Sequence, residues 1–280
     1  MDFIDLKSQQ KKILPKIKKR FDSILSSGTY IMGKEVNELE ERLADYCGVK
    51  HAITCSSGTD ALIIPLMAMG IGPGDAVFTT PFTYVATAEV ISILGATPVF
   101  VDVYDSTFNI DCDKLEIEVN KVIKDGNLIP KAIIPVDLFG VPARYRLINQ
   151  IAKKYNLKVI ADGAQSFGAS INGKKVGVFG DIAATSFYPA KPLGCYGDGG
   201  AIFTDNDDLS EKCKAIRIHG TKKDKYNSSY IGLNGRLDTF QAAVLLEKLS
   251  IFDGELESRE NISTFYRKNF HNAQYIPKNY

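Results

Sequence analysis

The chain alternates between short, nearly unbroken apolar runs and longer segments whose apolar residues recur at helical spacing. Residues 8–26 place Ile13, Leu14, Ile17, Phe21 and Ile24 among lysines and read as an amphipathic helix interrupted near Pro15. Residues 34–46 read as a second helix, with Val36, Leu39 and Leu43 on one face. Apolar runs at 52–55, 76–79, 98–101, 132–136, 158–161, 182–187 and 201–204 have the length of buried strands. Between them the pattern predicts helices from the Ser56–Asp60 turn to Gly70, with a kink at Pro65, and at about 83–94, 113–124 and 143–155. Residues 171–176 read as a hairpin around Asn172-Gly173, and helices follow at about 207–217 and 236–250. This β, α, β, α order predicts an α/β fold: a mainly parallel sheet with helices on both faces. Such sheets bind ligands at the carboxyl ends of their strands.

Polar clusters fall at those ends. Ser57-Gly58-Thr59 stands at a strand-to-helix turn, where backbone N–H groups and hydroxyls suit a phosphate, or where serine simply caps the helix. Asp162-Gly163-Ala164-Gln165 follows an apolar run directly. Its carboxylate fits a metal, a ribose or a protonated ring nitrogen, or is a turn aspartate beside glycine. Asn234-Gly235-Arg236-Leu237-Asp238 opens a helix, with Asn234 as a cap and Arg236 suited to grip a carboxylate by both its nitrogens. Lys191 lies between Pro189 and Pro192, after an apolar run and before Gly197-Asp198-Gly199-Gly200. A stiffened loop among apolar groups desolvates an amine and makes it a nucleophile, whereas the same loop at the surface carries an ordinary solvated lysine. A phosphate cradle, a carboxylate, an aromatic plate and a lysine are together the parts that pyridoxal phosphate needs.

Composition narrows the picture by exclusion. The 280 residues are 45% hydrophobic and 24% charged, with a net charge of +1, which gives no reason to expect nucleic acid or an anionic membrane surface. The basic residues from Lys11 to Arg20 have the spacing of a solvated helix face. Five scattered cysteines have no metal-site spacing and no disulfide pattern, and three dispersed histidines add no metal site. With neither a signal peptide nor a membrane-length apolar run, a cytoplasmic location with reduced thiols is the expectation.

The motifs together resemble the sugar-nucleotide aminotransferases of the DegT/DnrJ/EryC1/StrS group. The stretches that carry the likeness are Phe3-Ile4-Asp5-Leu6-Lys7, Ser57-Gly58-Thr59-Asp60-Ala61-Leu62, 81–89, 162–169, 186–194, 197–201 and 234–238, in the family's order. The resemblance implies a three-layer αβα sandwich around a mainly parallel seven-stranded sheet, the type I fold of enzymes dependent on pyridoxal 5′-phosphate. It implies that Lys191 forms the Schiff base with this cofactor and moves the proton. Asp162 pairs with the ring nitrogen, Tyr84 stacks on the ring and Gln165 sits near the ring hydroxyl. Gly58, Thr59 and Ser186 hold the phosphate, and Asn234 reaches the phosphate of a neighbouring subunit, so that a homodimer shares its sites. Phe3 and Arg236 stand as candidate substrate contacts. Family members that dehydrate sugars carry histidine in place of the lysine, so Lys191 favours transamination. The subgroup most similar aminates C3 of a UDP-linked 3-keto-N-acetylglucosaminuronic acid, with glutamate as donor, for surface polysaccharide such as lipopolysaccharide O-antigen.

Departures from the family pattern are Ala161, Gly163, Pro65 and Arg144. Family members also continue beyond the point that corresponds to Tyr280. The expectation is a large domain over 1–245, with the N-terminal helix partly packing on a small domain that begins at 246–280. A truncated, non-catalytic cofactor-binding or dimerisation module is the alternative.

Overall fold

The structure, a computed structural model, describes residues 5–221 and 227–270. Its strands are β1 (His51–Cys55), β2 (Asp75–Thr79), β3 (Thr97–Phe100), β4 (Ile129–Ile134), β5 (Lys158–Asp162), a small hairpin of β6 (Ser170–Ile171) and β7 (Lys174–Lys175), β8 (Ile182–Ser186) and β9 (Gly200–Thr204). Seven of them form one sheet in the order β1-β9-β8-β5-β4-β2-β3. The pairings from β8 to β3 are parallel, and β9 runs antiparallel to both its neighbours. This is the mainly parallel, seven-stranded α/β sheet expected from the sequence.

Helices α1 (Leu6–Ser27), α2 (Lys34–Cys47), α3 (Gly58–Ala68), α4 (Ala86–Ile93), α5 (Cys112–Asp125), α6 (Tyr145–Tyr155), α7 (Asp207–Ile216), α8 (Thr239–Leu249) and α9 (Phe252–Asn269) surround it. The two-residue period of the strands sorts the core into two layers. Ala76, Phe78, Ile133, Val159, Ala161, Ala183, Ala201 and Phe203 face α2, α5, α6 and α8. Val77, Ala132, Ile134, Ile160, Ile182, Ala184 and Ile202 face α3, α4 and α7. Every residue of β2, β8 and β9 is buried, which explains why these runs are apolar throughout rather than alternating.

One expectation is corrected: α1 runs unbroken through Pro15. α3 contains Pro65 within its span, as the sequence suggests. A mid-helix proline costs about 3 kcal/mol, and the packing of the residues that flank it outweighs this. Ile13 and Ile17 of α1 lie against Val244 of α8, and Leu62 to Leu66 of α3 are buried in the core. α9 was not read from the sequence, because Phe252 is its one buried residue and the polar remainder has no strong apolar stripe.

Candidate active site

The carboxyl edge of the parallel strands gathers most of the singled-out residues. β1 ends at Cys55 and the chain turns into α3, where the Ser57 hydroxyl accepts the Asp60 N–H at 3.0 Å. Ser57 therefore does cap the helix. That cap leaves the Gly58 and Thr59 N–H groups at the helix start without intrahelical partners, facing outward along the axis. Gly58 lies against the end of β8: a Cβ there would stand 2.5 Å from Ser186 Cβ and 2.9 Å from Ser186 Oγ. Only glycine lets the positive end of α3 come so close to the serine hydroxyl. The arrangement is a small cradle of hydroxyl and amide donors, the donor set that a phosphate dianion requires.

Beyond Ser186 the chain forms the lysine loop. Phe187 N–H donates to Gly199 O at 2.7 Å, Cys195 N–H to Phe187 O at 2.7 Å, and Lys191 N–H to Tyr188 O at 2.8 Å. A Cβ on Gly194 would lie 2.6 Å from the carbonyl oxygens of both Tyr188 and Pro189. The loop is thus folded tightly on itself, and Lys191 is half-buried. Desolvation lowers the proton affinity of its amine, and the charge of Asp162 partly opposes that shift.

Asp162 ends β5 and is 5% exposed. Burial raises its pKa, while the Thr87 hydroxyl, the Ala164 N–H and the charge of Lys191 pull it back. Thr87 Oγ1 donates to Asp162 Oδ2 at 2.9 Å, and Ala164 N–H donates to Oδ1 at 3.2 Å. Gln165 is half-buried in the same turn, its Oε1 accepting the Phe139 N–H at 2.7 Å. Tyr84 stands before α4 with 71% of its surface exposed. A buried carboxylate, a desolvated amine, an open aromatic plate and the donor cradle fit the ring, aldehyde and phosphate of pyridoxal phosphate.

Asn234 and Arg236 lie beside the cradle. The Gly235 carbonyl accepts the Ser56 N–H at 3.0 Å, which docks the 234–238 segment on the loop leading to α3. The Asn234 side chain is exposed, and its oxygen accepts from the Arg236 guanidinium. Arg236 Nε is buried and has no partner among the described residues. Phe3 lies outside the described residues.

Sequence reasoning missed two supports of the site. Thr87 lies within the 81–89 motif. Its spacing from Thr83, four residues on at a helix start, was the signal that the two hydroxyls would meet; they lie 3.0 Å apart. Asp137 follows an apolar run as Asp162 does. It is fully buried and accepts from Ala143 N–H (2.8 Å), Tyr145 O–H (2.7 Å) and Ser166 O–H (2.7 Å). Burial pushes its carboxyl up to about 7. Through Ser166 it braces the turn that carries Asp162 and Gln165. Among the described residues no group of three or more potential metal ligands converges, and no helix is long and apolar enough to cross a membrane.

The model of the DegT/DnrJ/EryC1/StrS aminotransferase family matches residues 11–279. A UDP-2-acetamido-2-deoxy-3-oxo-D-glucuronate aminotransferase of Pseudomonas aeruginosa is 50% identical over 266 residues, covering 95% of this chain and 72% of its own. The crystal structure of a DegT/DnrJ/EryC1/StrS aminotransferase from Brucella abortus superposes with a TM-score of 0.98 at 48% identity, covering 100% of this chain and 75% of that one. NtdA of Bacillus subtilis, solved with bound cofactor PMP, has a TM-score of 0.79 at 34% identity, covering 86% of this chain and 53% of its own.

Proposed function

The chain belongs to the DegT/DnrJ/EryC1/StrS aminotransferase family, and on that premise we propose that it transfers an amino group, with pyridoxal 5′-phosphate, to a UDP-linked 3-keto-N-acetylglucosaminuronic acid. The donor in this reading is L-glutamate, and the amino sugar enters a surface polysaccharide. The observation that carries the chemistry is the convergence of Lys191, Asp162 and the Gly58–Ser186 cradle on one edge of the sheet. The choice of sugar rests on the 50% identity to the Pseudomonas aeruginosa enzyme.

When bound, the cofactor supplies an aldehyde carbon that takes up amino groups and a ring that stores the electron pair released at the substrate carbon. Lys191 would hold that carbon through its Nζ, and its free amine would remove the proton from the donor carbon and return one to the sugar carbon. Desolvation suits it to this task, since the neutral amine is the base. Asp162 keeps a proton on the ring nitrogen, and its negative charge favours that proton staying there. The N–H groups of Gly58 and Thr59, with the Ser186 hydroxyl, grip the phosphate. Tyr84 would lie against the ring, and Gln165 would steady its hydroxyl.

In the same reading Asn234 serves the phosphate of a second copy. Its oxygen is engaged by Arg236, and its exposed position beside the cradle leaves the amide N–H groups for a neighbouring subunit. Arg236 contacts substrate, and residues 246–280 begin a small domain. The test is an amino-transfer assay with glutamate against UDP- and dTDP-linked 3- and 4-keto-sugars. The reading expects amination of the UDP-linked 3-keto uronic acid ahead of the others. A protein that stays colourless with added pyridoxal phosphate would sink it. Conversion of bound cofactor to the pyridoxamine form by glutamate excludes a non-catalytic module.

A further inference from the structure

Asp162 is one end of a chain of hydroxyls. Thr87 is 1% exposed, in the first turn of α4, and its Oγ1 lies 2.9 Å from Asp162 Oδ2 and 3.0 Å from Thr83 Oγ1. A threonine inside a helix ordinarily turns its hydroxyl back to the carbonyl four residues earlier. Thr87 instead spends its one proton on a carboxylate. An ionised carboxylate has no proton to give, so Thr87 donates to Asp162, and Thr83 must then donate to Thr87. The direction is fixed from the loop inwards: Thr83 O–H to Thr87 O–H to Asp162 Oδ2. In a dry site each donor polarises the next and strengthens the last bond.

Thr83 is the residue before Tyr84, and the Tyr84 carbonyl accepts the Thr87 N–H at 3.2 Å. The relay therefore joins the aromatic plate to the buried acid. We propose that Thr83 and Thr87 are positioning residues that set the proton affinity of Asp162 and tie the Tyr84 loop to it. This rests on the cofactor reading given above. Other groups bear on Asp162 as well. Lys191 approaches from the loop after β8, while Asp137 and Tyr145 approach from the β4–α6 side, and burial raises the pKa of both. Each of these acts through space, whereas Thr87 bonds directly to the carboxylate.

The relay makes a prediction of sign. Without the Thr87 proton, Asp162 Oδ2 loses a donor and becomes a stronger base. It then draws the shared proton away from the ring nitrogen of bound pyridoxal phosphate. A less protonated ring withdraws fewer electrons from the lysine-linked carbon, so the linked nitrogen becomes easier to protonate.

The experiment uses the full chain loaded with pyridoxal phosphate and needs no amino donor. The visible absorbance of the lysine-linked chromophore is titrated with pH in the unchanged protein and in Thr87→Val, Thr87→Ser and Thr83→Val. Thr87→Val keeps the shape and loses the proton. Its midpoint is expected to rise by roughly half a unit to one unit, a fraction of what one hydrogen bond to a charged group is worth. Thr87→Ser restores the parent midpoint, and Thr83→Val shifts it in the same direction by less. With a cofactor analogue carrying carbon in place of the ring nitrogen, the difference between Thr87→Val and the parent disappears.

A merely structural threonine would lower the thermal midpoint or the cofactor content and leave the titration unmoved, and that outcome overturns the relay. A Thr87→Val shift that persists with the carbon analogue overturns it too. An unchanged protein that takes up no cofactor overturns the underlying reading and the relay with it. A loaded parent with identical titrations in all variants overturns the relay alone.

Discussion

Lys191 and Lys248 are both held out of water, and one loop touches them both. Lys248, from α8, is 2% exposed, with its Nζ 4.7 Å from the centre of the Tyr196 ring, while Lys191 sits five residues earlier on the same loop. Burial lowers the pKa of each amine. For Lys248 the value falls to about 8, with the charge of Glu255 in partial opposition. For Lys191 the opposing charge is Asp162. By desolvation alone Lys248 is the better candidate for a neutral amine. Its setting argues otherwise. It is enclosed by an aromatic ring, by a cysteine whose sulfur already donates to backbone carbonyls, and by Glu255, itself engaged by Gln9. Lys191 lies near the buried Asp162 carboxylate, at the end of the sheet that also carries the donor cradle. A perturbed amine identifies a reactive site only where the rest of the chemistry has room.

Substitution of the two lysines separates the regions most strongly. Lys191→Ala is expected to abolish borohydride-fixable label and to cut amino transfer by at least about a thousandfold, since the covalent and the proton-transfer roles are both lost. Lys248→Met should leave the label intact; loss of label in that variant would reverse the assignment. Asp162→Asn comes next, with a fall in turnover of roughly a hundredfold or more and an unchanged fold by circular dichroism, because an amide cannot keep a proton on the ring nitrogen.

Gly58→Ala presses a methyl group on Ser186. Cofactor affinity is expected to fall about tenfold or more, with about 1–3 kcal/mol of destabilisation, measured by titration with pyridoxal phosphate and by urea unfolding.

The last effect is a pH dependence of stability that leaves the site untouched. The folded pKa of Lys248, about 8, lies below its unfolded value of 10.5, so between those pH values the unfolded chain binds more protons. Stability then rises with pH across this window, and the full burden of burying the charge is present below about pH 8. Lys248→Met removes the burden, which is about 3 kcal/mol. The variant should be the more stable at pH 7, and the gap should narrow towards pH 10. A gap independent of pH would show that Lys248 is not the source.

Much of this was legible in the chain because burial on both faces leaves a plain mark. Runs such as 76–79 and 201–204 are apolar throughout and became β2 and β9. The lysine loop, the Asp162 turn and the start of α3 were found because proline, glycine and serine mark places where backbone geometry or donors are needed. What the pattern concealed was tertiary. Pro15 reads as a break because the packing that offsets it comes from α8. α9 lacks a continuous apolar stripe and so gave no period to read. Thr83, Thr87 and Asp137 are ordinary residue types whose significance lies in partners up to 75 residues away.

The reversed strand β9 has a consequence for change over time. Ser186 pairs with Gly200 across β8 and β9, so the thirteen positions of the lysine loop leave the sheet and return to it at adjacent points. Such a loop is a hairpin hung from a fixed bracket. Its internal contacts at Gly194 and Cys195 limit where residues can be gained or lost, but a change of length there leaves the register of every other strand unaltered. The fold lets the surroundings of its amine be rewritten while the amine keeps its place.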